Sequence, residues 1–251
     1  MPVTGIITCR ILELEFGEIL GNDDFYDTIT VIEDKNSVTL AETAERRNKP
    51  KVRRIPHLRA KLPVIGEEQE ALVKVLEIGL HRNQKILRDT LQKAAEEISL
   101  YADVLVLGYG TCGNALTHPP DVEIPVFVPM DEGLPVDDCV CLELGGRKEY
   151  SAQQHLVPGT YYMTAGWCRH WKEMFDCPEA IDRKTLERIF RGYGRALLVK
   201  TPVMTESEMT ENIKEFRDIP GIRTEFKCGS LEMLGQVLEK SREYLRNSGK
   251  K

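Results

Sequence analysis

The chain has 251 residues, 41% of them apolar and 29% charged, enough apolar character at this length to bury a sizeable core, which excludes disorder as the main state. Its 34 basic and 40 acidic residues give a net charge of −6, which argues against a generic nucleic-acid coat while leaving local patches open. Seven cysteines, an odd number with no basic leader and apolar core ahead of them, point to free thiols, metal ligands or a reactive thiolate rather than a disulfide framework, and to a cytoplasmic protein without a membrane span.

Val3-Thr-Gly-Ile-Ile-Thr-Cys9 is short and rich in β-branched residues and predicts an opening strand that ends near Cys9. Asp27-Thr-Ile-Thr-Val-Ile32 predicts a second. Between Arg46 and Lys61 lie eight Arg or Lys residues and no acidic one, and the prolines at 50, 56 and 63 predict an irregular basic segment over 46–63. From Glu67 to Ser99 apolar residues at Leu72, Val75, Leu76, Leu80, Leu87, Leu91, Ala94 and Ile98 follow one helical face, so one long helix or two consecutive ones are expected, with a break near Gly79 and Asn83. The run Ala102-Asp-Val-Leu-Val-Leu-Gly108 predicts a strand covered on both faces, as in a parallel sheet. Ile124 to Val128, Cys139 to Leu144, Arg195 to Thr201 and Ile222 to Cys228 predict further strands, and Arg183 to Phe190, Glu206 to Phe216 and Ser230 to Leu245 predict helices. With no repeat and no Gly/Ser linker, the expected architecture is a single α/β domain, a mostly parallel sheet flanked by helices, Rossmann-like.

Gly108-Tyr-Gly-Thr-Cys-Gly-Asn114 follows the buried strand. Its three glycines let the backbone turn sharply, and Cys112 falls where the C-terminal end of a parallel strand opens into a ligand crevice. One reading makes Cys112 a nucleophile, because Gly110-Thr-Cys-Gly-Asn114 approaches the G-x-C-x-G elbow, with turn amides for an oxyanion and His118 as a base. Asn114 in the last position and His118-Pro-Pro120 just beyond weaken it. A second reading joins Cys112 to Cys9 and Cys139 at neighbouring strand ends. Three soft thiolates select zinc or an iron–sulfur cluster and leave one position open. Cys141, two residues beyond Cys139, would share its face on a strand. Cys168, His170 and Cys177 form a rival ligand set, but on a helix Cys168 and His170 diverge, and Trp167, Trp171 and Phe175 then read as a packing stripe. The basic residues of 46–61 would suit an anion or an acidic partner; the segment lacks aromatic residues for base stacking, so nucleic acid is not expected.

Cys9, Gly108-Tyr-Gly-Thr-Cys-Gly-Asn114, Asp138-Cys139, Tyr150 and Pro158-Gly-Thr-Tyr-Tyr-Met-Thr-Ala-Gly-Trp167 occur in that order. The chain thereby resembles an uncharacterised domain family, common in methanogenic archaea and anaerobic bacteria, whose members carry an early cysteine, a GYG-x-CGN turn, a DC motif and a GTYY-x-T-x-GW segment. The resemblance implies a setting beside corrinoid-dependent methyltransferase systems of anaerobic one-carbon metabolism, with a corrinoid or methyltransferase protein as partner. It also favours Cys9, Cys112 and Cys139 as metal ligands. By motif position, Tyr109, Gly110, Gly113, Asn114, Tyr161, Tyr162 and Trp167 would line the substrate or cofactor. Pro129 to Pro135 departs from the family pattern, in which an Arg precedes the DC motif; Arg147 or the basic segment would take over any anion-binding role. The alternatives are a nucleophilic enzyme using Cys112 and a non-enzymatic accessory protein that docks an acidic partner.

Overall fold

A computed structural model describes residues 1–47, 50–58, 68–175, 182–217 and 221–248. The opening run forms β1 (Val3–Cys9). It joins β2 (Thr28–Ile32), β3 (Lys51–Ile55), β4 (Glu70–Leu76), β5 (Val104–Gly108) and β6 (Val126–Phe127) in the order β3-β2-β4-β1-β5-β6. All the pairings in this sheet are parallel. Parallel strands need crossovers that cover both faces. Here α1 (Glu13–Gly21) and α2 (Val38–Glu45) pack with Ile6, Ile29 and Val73 on one face. The other face, with Ile7, Leu72 and Leu105, is covered by α3 (Gln84–Ser99). The fold is α/β and Rossmann-like, as the alternation of strands and helices predicts.

Beyond β6 a short hairpin of β7 (Met130–Asp131) and β8 (Leu134–Pro135) leads into α4 (Cys139–Leu144) and α5 (Arg147–Leu156). A second parallel sheet follows, β11-β10-β9, built from β9 (Thr160–Met163), β10 (Arg195–Lys200) and β11 (Arg223–Cys228). Its helices are α6 (Ala165–Met174), α7 (Arg183–Ile189), α8 (Glu206–Asn212), α9 (Lys214–Arg217) and α10 (Glu232–Ser248). The last of these returns to β5 and β6, and one apolar cluster runs from Val106 through Phe16, Met163 and Trp171 to Leu198 and Leu238. Aromatic edges fasten α6 to the second sheet: Tyr161 lies 4.9 Å from Trp167, and Trp167 stacks on Trp171 at 6.4 Å. Trp167, Trp171 and Phe175 are thus the packing stripe their spacing predicts.

Three sequence expectations need correction. Cys139 to Leu144 is a helix, not a strand: the Asp138 carboxylate accepts from the Cys141 N–H at 2.8 Å and caps its start, and Gly145 ends it at φ +87°. Residues two apart on a helix diverge by about 200°. Cys141 accordingly turns into the core, fully buried, while Cys139 stays at the surface of a cavity. Residues 70–76, read as helix, form β4, inserted between β1 and β2. Its Ala71-Leu-Val-Lys-Val-Leu76 run is buried on both faces, and a period of 3.6 cannot be told from a continuous apolar run over so few residues. The helix starts only at Gln84, where Asn83 accepts from the Lys85 and Ile86 amides.

The basic segment is also more regular than its prolines predict, since Lys51 to Ile55 make an edge strand. Arg53 pairs with Glu70 at 3.6 Å, and Arg54 with Glu33 at 3.0 Å and Glu45 at 2.8 Å. Arg47 binds Glu18. At these positions the local positive charge is answered from within the chain. Lys49, Arg59 and Lys61 lie outside the described residues, as does Cys177. Among the described residues no helix is long and apolar enough to cross a membrane.

Candidate functional site

Thr8 in β1 stands opposite Gly108 in β5, so Cys9 and Tyr109 leave the sheet side by side. From there the chain departs toward β2 on one side and β6 on the other. That divergence opens a crevice at the carboxyl ends of the strands. Gly110 then lets the β5 loop lie directly on the start of α4, where a Cβ would come within 2.6 Å of the Asp138 nitrogen. The Thr111 and Cys112 amides donate to the Val136 and Asp137 carbonyls at 2.8 Å each. This seam carries Cys139, the first residue of α4, to the crevice that Cys9 and Cys112 already border. Three thiols from a strand end, a loop and a helix start thus line one cavity of about 390 Å³.

The cavity lies between the two sheets. Ile11, Leu12, Ile78 and Met174 give it an apolar lining, to which Tyr161 and Tyr162 from the second sheet and Trp167 from α6 add aromatic surface. Gly110 and Gly113 line it, whereas Asn114 is exposed outside it. Cys112 holds φ +46°, followed by Gly113 at +67° and Asn114 at +69°. A cysteine in the left-handed region is strained, and strain of this kind is retained where the surrounding structure needs a side chain in one place.

The three thiols line the cavity at half-buried positions, and every one is pushed toward its neutral form. Burial raises Cys9, with the Glu13 charge adding to it. Burial, then Cys9 and Asp138, push Cys112 up to about 12. Cys139 is driven well up by burial first, then by Asp138, Cys112 and Glu143. Tyr109 lines the same cavity, and burial first, then the three cysteines, raise it. Its hydroxyl lies toward the Cys9 sulfur, where it would favour a thiolate, but it makes no well-formed hydrogen bond with any partner. In the present side-chain arrangement, and among the described residues, no group of three or more His, Cys, Asp or Glu is drawn together tightly enough to hold a metal ion.

A family model described as a protein of unknown function, DUF1638, matches residues 75–238, about two-thirds of the chain. The chain belongs to the DUF1638 family. No curated protein and no solved structure matches it. The DUF1638 match contains Cys112, Cys139 and the aromatic lining, while Cys9 precedes it.

Of the rival ligand set in this DUF1638 chain, Cys177 lies outside the described residues, and neither Cys168 nor His170 lines the cavity. Cys168 is buried beside Glu143. Both ring nitrogens of His170 face carboxylates, Nε2 at 2.7 Å from Glu13 and Nδ1 at 3.3 Å from Glu173. The nucleophile reading loses its accessories: the Thr111 and Cys112 amides are spent on carbonyls, His118 is exposed and does not line the cavity, and burial opposes the Cys112 thiolate. Arg147, considered for an anion, binds Asp137 at 3.1 Å and the Asp131 and Pro135 carbonyls. His81, which follows β4, lines the cavity without having been singled out in the sequence; its only signal is its position just beyond the carboxyl end of a strand that the sequence reads as helix. Glu13, Glu15 and Glu143, all fully buried, were likewise missed. Acidic residues inside Ile11-Leu-Glu-Leu-Glu-Phe16 look like the polar face of an amphipathic helix until the second sheet covers them.

Proposed function

We propose that this chain binds a thiophilic metal, zinc or an iron–sulfur cluster, through Cys9, Cys112 and Cys139. The observation that carries the reading is the convergence of three thiols, from three separate elements, on one apolar cavity. The donor set fits: thiolates are soft ligands, and three of them leave a coordination position facing the cavity. Each thiol is penalised by its neighbours' charge, a penalty that a cation among them reverses. Binding requires the cysteine side chains to close in on the ion from their present positions. Asp138 holds the start of α4, and the Gly110 seam holds the Cys112 loop against it. Bound zinc would supply Lewis acidity or an activated thiolate, and a cluster would supply electron transfer.

We further propose, on the resemblance to the family of anaerobic organisms, that the chain acts in one-carbon metabolism beside a corrinoid or methyltransferase protein. Direct binding to a purified corrinoid protein by calorimetry tests that setting.

The metal reading is tested by anaerobic purification, elemental analysis and an absorption spectrum, repeated on Cys9→Ser, Cys112→Ser and Cys139→Ser. Stoichiometric metal that is lost in all three variants supports it. Metal-free protein in which Cys112 alone reacts with thiol reagents overturns it and restores the nucleophile reading.

A further inference from the structure

The Tyr109 ring is 5% exposed, and its hydroxyl is buried without a well-formed hydrogen bond at the cavity that the three thiols line. A buried hydroxyl keeps its full desolvation cost until it meets an acceptor. The thiols beside it are weak acceptors. Tyr162, which also lines the cavity, likewise has a buried hydroxyl with no partner. Around these donors the surface is apolar or aromatic: Ile11, Leu12, Ile78, Met174 and Trp167. A space of about 390 Å³ falls within the usual range of small-molecule sites, where a few polar groups orient an otherwise apolar body.

The ionisable groups of the lining point the same way. The described residues that line it include no Lys, Arg or Glu, and its one carboxylate, Asp138, is engaged by the Cys141 amide at 2.8 Å and the Tyr150 hydroxyl at 3.3 Å. A lining with no unengaged counter-charge disfavours a charged ligand.

We propose that the cavity takes a compact, uncharged, mainly apolar molecule with a hydrogen-bond acceptor at one end, which accepts from the Tyr109 hydroxyl beside the three thiols. This rests on the reading of the thiol cavity as the functional site and adds the class of molecule that enters it. The acceptor end lies beside the thiols and the apolar body lies against the aliphatic and aromatic lining. An aromatic or branched body fits that slot, and Tyr109 sets which end faces the sulfurs.

The test is a ligand-observed NMR titration of the full chain with four probes: benzamide, toluene, benzoate and benzyltrimethylammonium. Benzamide is expected to bind at least tenfold more tightly than the other three. Tyr109→Phe should weaken benzamide about tenfold and leave toluene unchanged, which a merely structural role for the tyrosine would not do. Ile78→Trp, which narrows the cavity, should weaken benzamide and toluene together and locate both there. Equal binding of benzamide and toluene to the natural chain, equal losses of both in Tyr109→Phe, or tighter binding of either charged probe overturns the proposal. Metal content is measured on the same preparations. Selective benzamide binding to metal-free protein, with no metal taken up on reconstitution, keeps the ligand class and sinks the metal reading. Metal uptake without selective probe binding does the reverse.

Discussion

Glu143 on α4 is held in its neutral form by burial and then by the charge of Glu15 on α1, in a part of the core where neither carboxyl has exposed surface. Among the described residues neither has an ion pair with a basic side chain; Glu15 meets the Thr201 hydroxyl at 3.5 Å, and Thr164 lies beside Glu143. Burial, with Glu13 adding to it, raises Glu15 to about 8. Glu143 also raises Cys139, which lines the thiol cavity, and Cys168, buried in the core.

A carboxyl whose folded value is raised contributes stability that is complete below the unfolded value near 4.5 and is lost as pH climbs through about 8. Stability is therefore expected to fall between pH 5 and 8 by up to about 1.4 kcal/mol per pH unit from this group. In a chain of this size that is about 2–4 °C in Tm per kcal/mol. Glu15→Gln should flatten that slope and raise Tm at pH 8. Thermal denaturation across the pH series measures it, and a variant with the same slope as the natural chain would show that the buried pair is not its source.

Because all three thiols are held protonated, a metal that binds them must displace their protons. Zinc titration by calorimetry in two buffers of different ionisation enthalpy should report about two to three protons released per ion, and affinity should rise with pH. Uptake with no proton release would place the ion elsewhere.

Asp138 caps α4 through the Cys141 amide at 2.8 Å and receives the Tyr150 hydroxyl at 3.3 Å. Asp138→Ala should cost about 1 kcal/mol of stability and, by freeing Cys139, about tenfold in metal affinity. Asp138→Asn keeps a capping oxygen and should recover most of both losses. Denaturant midpoints and a chelator competition read the two effects separately.

Gly166, the second residue of α6, lies against the segment after Cys9, and a Cβ there would fall 1.8 Å from the Ile11 carbonyl oxygen. Backbone cannot yield as a side chain does, so Gly166→Ala should cost about 3 kcal/mol or more and loosen Cys9 together with Trp167. A midpoint within about 0.5 kcal/mol of the natural chain would mean that α6 shifts at no cost.

The local patterns in the sequence determined much of this protein. β-Branched and apolar runs set β1 and β5, glycines and the run of turn residues set the loop that carries Cys112, and motif order singled out Cys9, Cys112 and Cys139, which line one cavity. These depend on steric preference over a few residues, which the chain carries wherever it goes. Tertiary structure decided the rest. Insertion of β4 between β1 and β2 turned an apparent helix into a buried strand, and the Asp138 cap turned an apparent strand at Cys139 into a helix. The second sheet closed over Glu15 and Glu143, and ion pairs with Glu33, Glu45 and Glu70 answered arginines that read as an open positive patch. In each case the deciding partner is distant in sequence, and its effect is desolvation or charge, quantities that local spacing does not encode. The opposed departures of the chain from β1 and β5 place the cavity, and the sequence order of strands does not contain that geometry until the sheet is assembled.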